Sequence, residues 1–330
     1  DYKDTPDSWK DFFTGKAFCG AGQNFGINLS GGTKSQNYRV DWMNPWIFDR
    51  PIRFGLGGFY KTWEWEKYDE ERTGGYWKLG KQLFHNKHLD ASFTHRLENV
   101  TLDNFDDDVS PQLKGEEGTN LISRGIFNLT WDSRDSRFDP TEGLMASATQ
   151  EFAGTIFGGD RDFWRNFLTV HWFHPLYKDK SGRPYVLALR GETGAADGMN
   201  GDHVPVYERM YAGGIGSIRG FGYNRVSPRD LYGDEIGGTL TTTGSAEFFV
   251  PIFDQLVRAS AFYDIGNVWQ NWDEWDSKAS GDTWRQSTGL GLHVKTPLGP
   301  MPIRLYYSWI LNKQEGDSEQ KFQFTFGAFF

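Results

Sequence analysis

An arginine, Arg219, sits in the glycine-rich run Tyr211-Ala212-Gly213-Gly214-Ile215-Gly216-Ser217-Ile218-Arg219-Gly220-Phe221, and two carboxylates, Glu247 and Asp264, follow it on separate segments. A guanidinium is a planar fork of donors that a carboxylate can accept two at a time, so this trio suits charge-assisted docking more than bond-making. By itself an arginine in a glycine-rich loop is more often a solvated loop residue. The docked reading has the loop folding back so that Arg219 meets Glu247 and Asp264. Other candidates fail on spacing. His85, His88 and Asp90 sit in a short turn with no further ligand at useful distance, so no metal is expected. His171 and His174 flank Trp172 and read as wall or interface residues. There is no Gly-x-Ser-x-Gly elbow and no phosphate loop, and nothing singles out a hydrolytic carboxylate pair. The chain is expected to carry no catalytic residue and no cofactor, and to be no enzyme.

The elements that would hold this trio follow from composition and period. The 330 residues are 38% hydrophobic and 24% charged, and the mean hydropathy is −0.61. Those values suit a soluble protein, but aromatics reach 17%, with 14 Trp, 14 Tyr, 27 Phe and 40 Gly. No run approaches the roughly 18 apolar residues of a membrane helix. Membrane strands resolve the conflict, because only alternate residues of each must be apolar. The net charge of −9 and the lack of a basic stripe exclude nucleic acid as the expected partner. One cysteine, Cys19, excludes an internal disulfide framework.

Period two runs nearly throughout. From Leu240 to Ile252 the even positions share one face, and Thr241, Thr243, Ser245, Glu247 and Phe249 share the other. Val257, Ala259, Ala261, Tyr263 and Ile265 oppose Arg258, Ser260, Phe262 and Asp264. Ile303, Leu305, Tyr307, Trp309 and Leu311 oppose Arg304, Tyr306 and Ser308, and Phe322, Phe324, Phe326, Ala328 and Phe330 share a face at the end. About fourteen strands result, each near the ~9–11 residues of a tilted membrane strand. They fall near 22–30, 36–46, 52–64, 73–84, 88–98, 121–132, 143–153, 163–174, 184–194, 238–252, 256–269, 284–296, 302–312 and 321–330.

The connections alternate as well. Short, often proline-bearing turns (Asn44 to Pro51, Asp139-Pro140, His174-Pro175, Pro251, Pro297 to Pro302) interleave with longer polar loops at Glu64–Arg72, Glu98–Asn120, Gln270–Asp282 and Asn312–Gln320. The longest connection, from about Thr193 to Gly237, contains Arg219. Short turns on one side and long loops on the other are the sidedness of outer-membrane barrels. A soluble all-β protein is the competing reading. The expected fold is all-β, a transmembrane antiparallel up-and-down β-barrel with a long inward-folding loop.

The run Tyr-Ala-Gly-Gly-x-x-x-Ile-Arg-Gly-Phe resembles the sixth extracellular loop of BamA-type outer-membrane barrels, with its (Val/Ile)-Arg-Gly-Phe signature. The resemblance extends to Ser245-Ala246-Glu247-Phe248, to Ala259 through Trp269, to Gly289-Leu290-Gly291-Leu292, and to Thr296 through Pro300. Ser35 to Tyr38, Asn44 to Trp46 and Asp135 to Gly143 also match, so it covers nearly the whole chain from about Gly20. In a bacterial outer-membrane setting the three Asn-x-Thr/Ser sequons at Asn28, Asn99 and Asn128 read as chance.

The resemblance implies that Ile218, Arg219, Gly220 and Phe221 form the functional loop motif, with Glu247 and Asp264 as partners of Arg219 on the lumen wall. It implies that the closing segment, with Phe322, Phe324, Phe326, Gly327 and Phe330, is both a seam strand and a C-terminal assembly signal. The implied function is insertion of other β-barrels into the Gram-negative outer membrane through a lateral seam. The implied partners are unfolded outer-membrane clients, the lipid bilayer and accessory lipoproteins of a BAM assembly. Such barrels have sixteen strands preceded by periplasmic POTRA domains, so residues 1–330 read as one barrel domain, with a first strand and POTRA domains expected upstream. A sibling translocase exporting a protein passenger, and more remotely a passive pore, are the alternatives.

Overall fold

A computed structural model describes residues 22–48, 50–84, 86–253, 256–274, 284–295 and 302–326. Gly327 and Phe330 of the expected closing strand, His85, the 296–301 turn, residues 275–283 and everything before residue 22, including Cys19, lie outside the described residues. Among the described residues nearly all of the regular structure is strand. The first half carries β1 (Asn24–Gly31), β2 (Ser35–Asn44), β3 (Ile52–Glu64), β4 (Asp69–Gln82), β5 (Leu89–Asp103), β6 (Gly118–Asp132), β7 (Gly143–Ala153) and β8 (Phe163–Lys178). The second half carries β9 (Pro184–Gly198), β10 (Gly220–Phe221), β11 (Leu240–Phe253), β12 (Val257–Trp269), β13 (Arg285–Lys295), β14 (Pro302–Asn312), β15 (Glu319–Gln320) and β16 (Phe322–Phe326). Fourteen of these make one sheet in chain order, and β10 pairs separately with β15.

The expected strands are all present, but several hairpins run further than the spacing predicts. β4 starts at Asp69 instead of residue 73, β5 ends at Asp103 instead of 98, and β9 ends at Gly198 instead of 194. The added residues are polar, such as Asp69-Glu70-Glu71-Arg72, and still hold register from Glu64↔Asp69 on one side to Asp69↔Asp103 on the other. Side-chain alternation marks the lipid-facing part of a strand, whereas the backbone ladder continues wherever N–H and C=O groups find partners. The turn expected at His174-Pro175 is likewise strand. β8 passes through Pro175 with a register shift between Pro175 and Tyr177, where the imino nitrogen has no donor for the ladder. The loop expected at Glu98–Asn120 shrinks accordingly and holds a one-turn helix, Pro111–Lys114, capped by Ser110, whose Oγ accepts from Leu113 N at 3.2 Å.

Two compact units divide the chain. Among the described residues the first comprises those from 22 to 107, 117–127 and 153–160. Here β1 to β5 pair as successive antiparallel neighbours. Its buried charges cluster around Glu98, which accepts from Arg96 at 2.5 Å and from Arg124 at 2.8 Å. Sequence spacing did not reveal this cluster, because no motif surrounds it.

The second unit comprises residues 108–116 and 128–152 and the described residues from 161 to 326. β8, β9, β11, β12, β13, β14 and β16 follow one another as antiparallel neighbours. Its burial is inverted relative to a water-soluble sheet. On β13, β14 and β16 the buried positions include Arg285, Ser287, His293, Arg304, Ser308, Gln323 and Thr325 beside Tyr306, while Leu290, Tyr307, Trp309, Phe322 and Phe324 are exposed. The register makes the exposed set continuous: Leu290 lies opposite Tyr307, Tyr307 opposite Phe322, and Leu305 opposite Phe324. Each large apolar side chain left in water forgoes about 1.5–3 kcal/mol. A contiguous row of them, with Phe324 at 71% exposure, is a surface made for hydrocarbon.

Candidate functional site: a loop arginine on the buried polar face

In the second unit the loop between β9 and β11, residues 199–239, lies over the buried face of the sheet. Pairing sets the site. Ser245 is directly opposite Asp264, and Glu247 opposite Phe262, so these four residues form a two-by-two patch on one face of β11 and β12.

Arg219 occupies that patch at 3% exposure. Its Nε donates to Asp264 Oδ2 at 2.8 Å and its Nη2 to Asp264 Oδ1 at 2.7 Å, the bidentate fork that the sequence reading anticipated. Nη1 donates to Glu247 Oε2 at 2.7 Å and Nη2 also to Ser245 Oγ at 2.8 Å. The main-chain N–H of Arg219 adds a bond to Asp264 Oδ2 at 2.9 Å. The guanidinium carbon lies 3.6 Å from the ring centre of Phe262 and 4.7 Å from that of Tyr306. The solvated reading of Arg219 is therefore excluded, and Arg219, Glu247 and Asp264 are brought together.

The supporting residues are ones that sequence reasoning missed. Glu247 accepts from Ser260 Oγ at 2.5 Å and lies 3.3 Å from His293 Nε2. Arg190, opposite Ser245 on β9, donates to the carbonyl of Ser217 at 3.0 Å and holds the loop's approach. Phe262 and Tyr306 can cover the guanidinium because β13 has glycine beside them. A Cβ on Gly289 would stand 2.5 Å from Phe262 Cζ, inside any permitted contact. The alternation puts Ser260, Phe262 and Tyr306 on the face opposite the apolar one without giving them a role, and it does not single out Arg190 or His293.

The rest of the motif serves the same docking. Gly220 has φ +94, and its absent Cβ would meet Ser308 Cβ at 3.0 Å, so both conformation and space require glycine. Ile218 and Phe221, both fully buried, pack with Ala212, Val226 and Val268 and against Ile310. Phe322, Phe324 and Phe326 lie on the opposite, exposed face of β16.

A sheet that hides its polar face beneath an inserted loop and turns its apolar face outward is the wall of a membrane β-protein. Among the described residues no helix is long and apolar enough to cross a membrane. Residues 18–330 match the Omp85 superfamily domain, and the chain belongs to the Omp85 superfamily. It is 29% identical over 304 residues, 90% of its length, to the outer membrane protein assembly factor BamA of Nitratidesulfovibrio vulgaris. It is 31% identical over 238 residues, 63% of its length, to the BamA of Neisseria meningitidis. The chain spans 36% and 29% of the lengths of these two relatives. A crystal structure of BamA from Haemophilus ducreyi lacking POTRA domains 1-3 superposes with a TM-score of 0.79 at 22% identity, covering 93% of this chain and 64% of that one. The fold is accordingly that of an outer-membrane β-barrel of this kind, as the alternation and loop sidedness predicted.

Proposed function

We propose that this chain is the barrel of an outer-membrane insertase, which folds β-barrel clients into the Gram-negative outer membrane without covalent chemistry. The observation that carries the reading is likeness to assembly factors over 90% of the chain, together with membership of the Omp85 superfamily across residues 18–330. The physical rationale lies at the sheet's end. β16 pairs with β14 from Ile303↔Phe326 to Tyr307↔Phe322 and closes the strand order. An edge strand is a template for β-augmentation, so a client strand can pair there instead of exposing unsatisfied backbone groups to lipid. The phenylalanines of β16 hold that edge in hydrocarbon, and local bilayer thinning beside it would lower the barrier to client entry. The partners are unfolded outer-membrane proteins, lipid and accessory lipoproteins.

Reconstitution into liposomes with an urea-unfolded barrel client tests the proposal. Client folding, read by protease resistance, should run faster than in empty liposomes. No acceleration would refute it. Release of a soluble passenger without client insertion would favour the sibling translocase, and a large steady conductance in planar bilayers would favour the pore.

A further inference from the structure

Gln323 on β16 is a buried amide at 4% exposure that is spent entirely on the loop. Its Oε1 accepts from the main-chain N–H of Gly220 at 3.2 Å, and its Nε2 donates to the carbonyl of Phe221 at 2.9 Å. A continuous tie runs on from there. Gly220 pairs with Gln320 and Phe221 with Glu319, the Gly222 N–H donates to the Ser318 carbonyl at 2.9 Å, and Arg229 donates to the Gly316 carbonyl at 2.9 Å. Consecutive residues of one motif thus serve two parts of the wall. Arg219 is held by β11 and β12, and residues 220–222 are held by the 316–323 segment, with β13 and β14 between them in the sheet.

Asn or Gln buried on a sheet face needs partners, but a partner on a neighbouring strand would satisfy that need equally well. Gln323 bonds to the loop backbone on both sides of the amide, where neither partner can rotate away. Among the described residues five of β16 pair with β14. The two buried hydrogen bonds from Gln323 to the loop add to those pairs in retaining the strand.

We infer that Gln323 is a positioning residue that latches the edge strand β16 to the docked loop, so that β16 leaves β14 only when residues 220–222 are released with it. In the insertion reading, on which this functional consequence rests, the latch keeps the edge strand on the wall while a client pairs with it.

Hydrogen exchange of the full chain in lipid nanodiscs tests the latch independently of any activity. In Gln323→Ala, Gly220 and Gly222 on one side and the β16 segment on the other should each exchange about tenfold or more faster than in the native chain. The Arg219 amide, bonded to Asp264, should stay protected. Gln323→Glu is the second variant, for use if the alanine variant fails to fold. It keeps the acceptor for Gly220 but sets a carboxylate against the Phe221 carbonyl, and should shift the same amides. Faster exchange in the loop alone, in β16 alone, or in neither would overturn the latch. Client insertion is then measured in liposomes with the same variants. A severalfold change in rate beside faster exchange in both segments supports both readings, whereas an unchanged rate beside faster exchange in both segments upholds the latch and counts against the insertion reading.

Discussion

Replacing Arg219 with alanine removes four side-chain hydrogen bonds at 2.7–2.8 Å and strands two carboxylates, of which the Asp264 side chain is fully buried and the Glu247 side chain 12% exposed. Removing one partner of a buried ion pair typically costs about 3–5 kcal/mol, because the remaining charge keeps its desolvation penalty. Ser260 and His293 stay beside Glu247 and soften that end, so the larger share falls on Asp264. Coupled to loop docking, the loss corresponds to roughly two to four powers of ten in the undocking equilibrium. The Arg219 main-chain N–H bonds to Asp264 and is therefore a direct reporter, readable by hydrogen exchange at residues 211–221. Arg219→Lys should fall between, since an ammonium cannot make the bidentate fork or stack on Phe262 and Tyr306. Asp264→Asn combined with Arg219→Ala should be non-additive by about 1–3 kcal/mol. Exchange within threefold of the native chain in Arg219→Ala, or strictly additive effects, would refute the claim that the ion pair holds the loop.

Gly220→Ala should undock the same loop by about 1–2 kcal/mol through the left-handed backbone alone, and by more through the Ser308 contact; unchanged loop protection would contradict that geometry. Phe324→Arg places a charge on the exposed face opposite Leu305 and should lower refolding stability in liposomes by about 2–4 kcal/mol if that position lies near mid-bilayer, whereas wild-type-like urea midpoints would deny that this face meets lipid. In the turn between β8 and β9 the Arg183 N–H, with the Arg183 guanidinium and the Ser181 N–H, holds the Asp179 carboxyl below its ordinary value of 3.8. The turn's stabilisation should therefore be complete above that value and be lost as the pH falls through the lowered one; a carbon-13 titration midpoint at or above 3.8 would reverse the sign.

What the residues alone determined was everything that period two and residue chemistry express locally. Ile303, Leu305 and Tyr307 against Arg304, Tyr306 and Ser308 assign faces without any knowledge of neighbours, because successive side chains on a strand must point oppositely. Glu247 and Asp264 were legible as partners of Arg219 because both fall on polar faces of strands that follow the loop. Strand ends were less legible, since segments such as Asp69 to Arg72 are held by backbone pairing that does not depend on side-chain polarity. Only the tertiary structure decided the rest. Register placed Ser245 beside Asp264 and Phe262 beside Glu247, and glycines on β13 made room for the rings that cover the guanidinium. Gln323 is the clearest case. In sequence it is one polar residue between two phenylalanines, and its role arises from main-chain atoms about a hundred residues away, whose position no local pattern encodes.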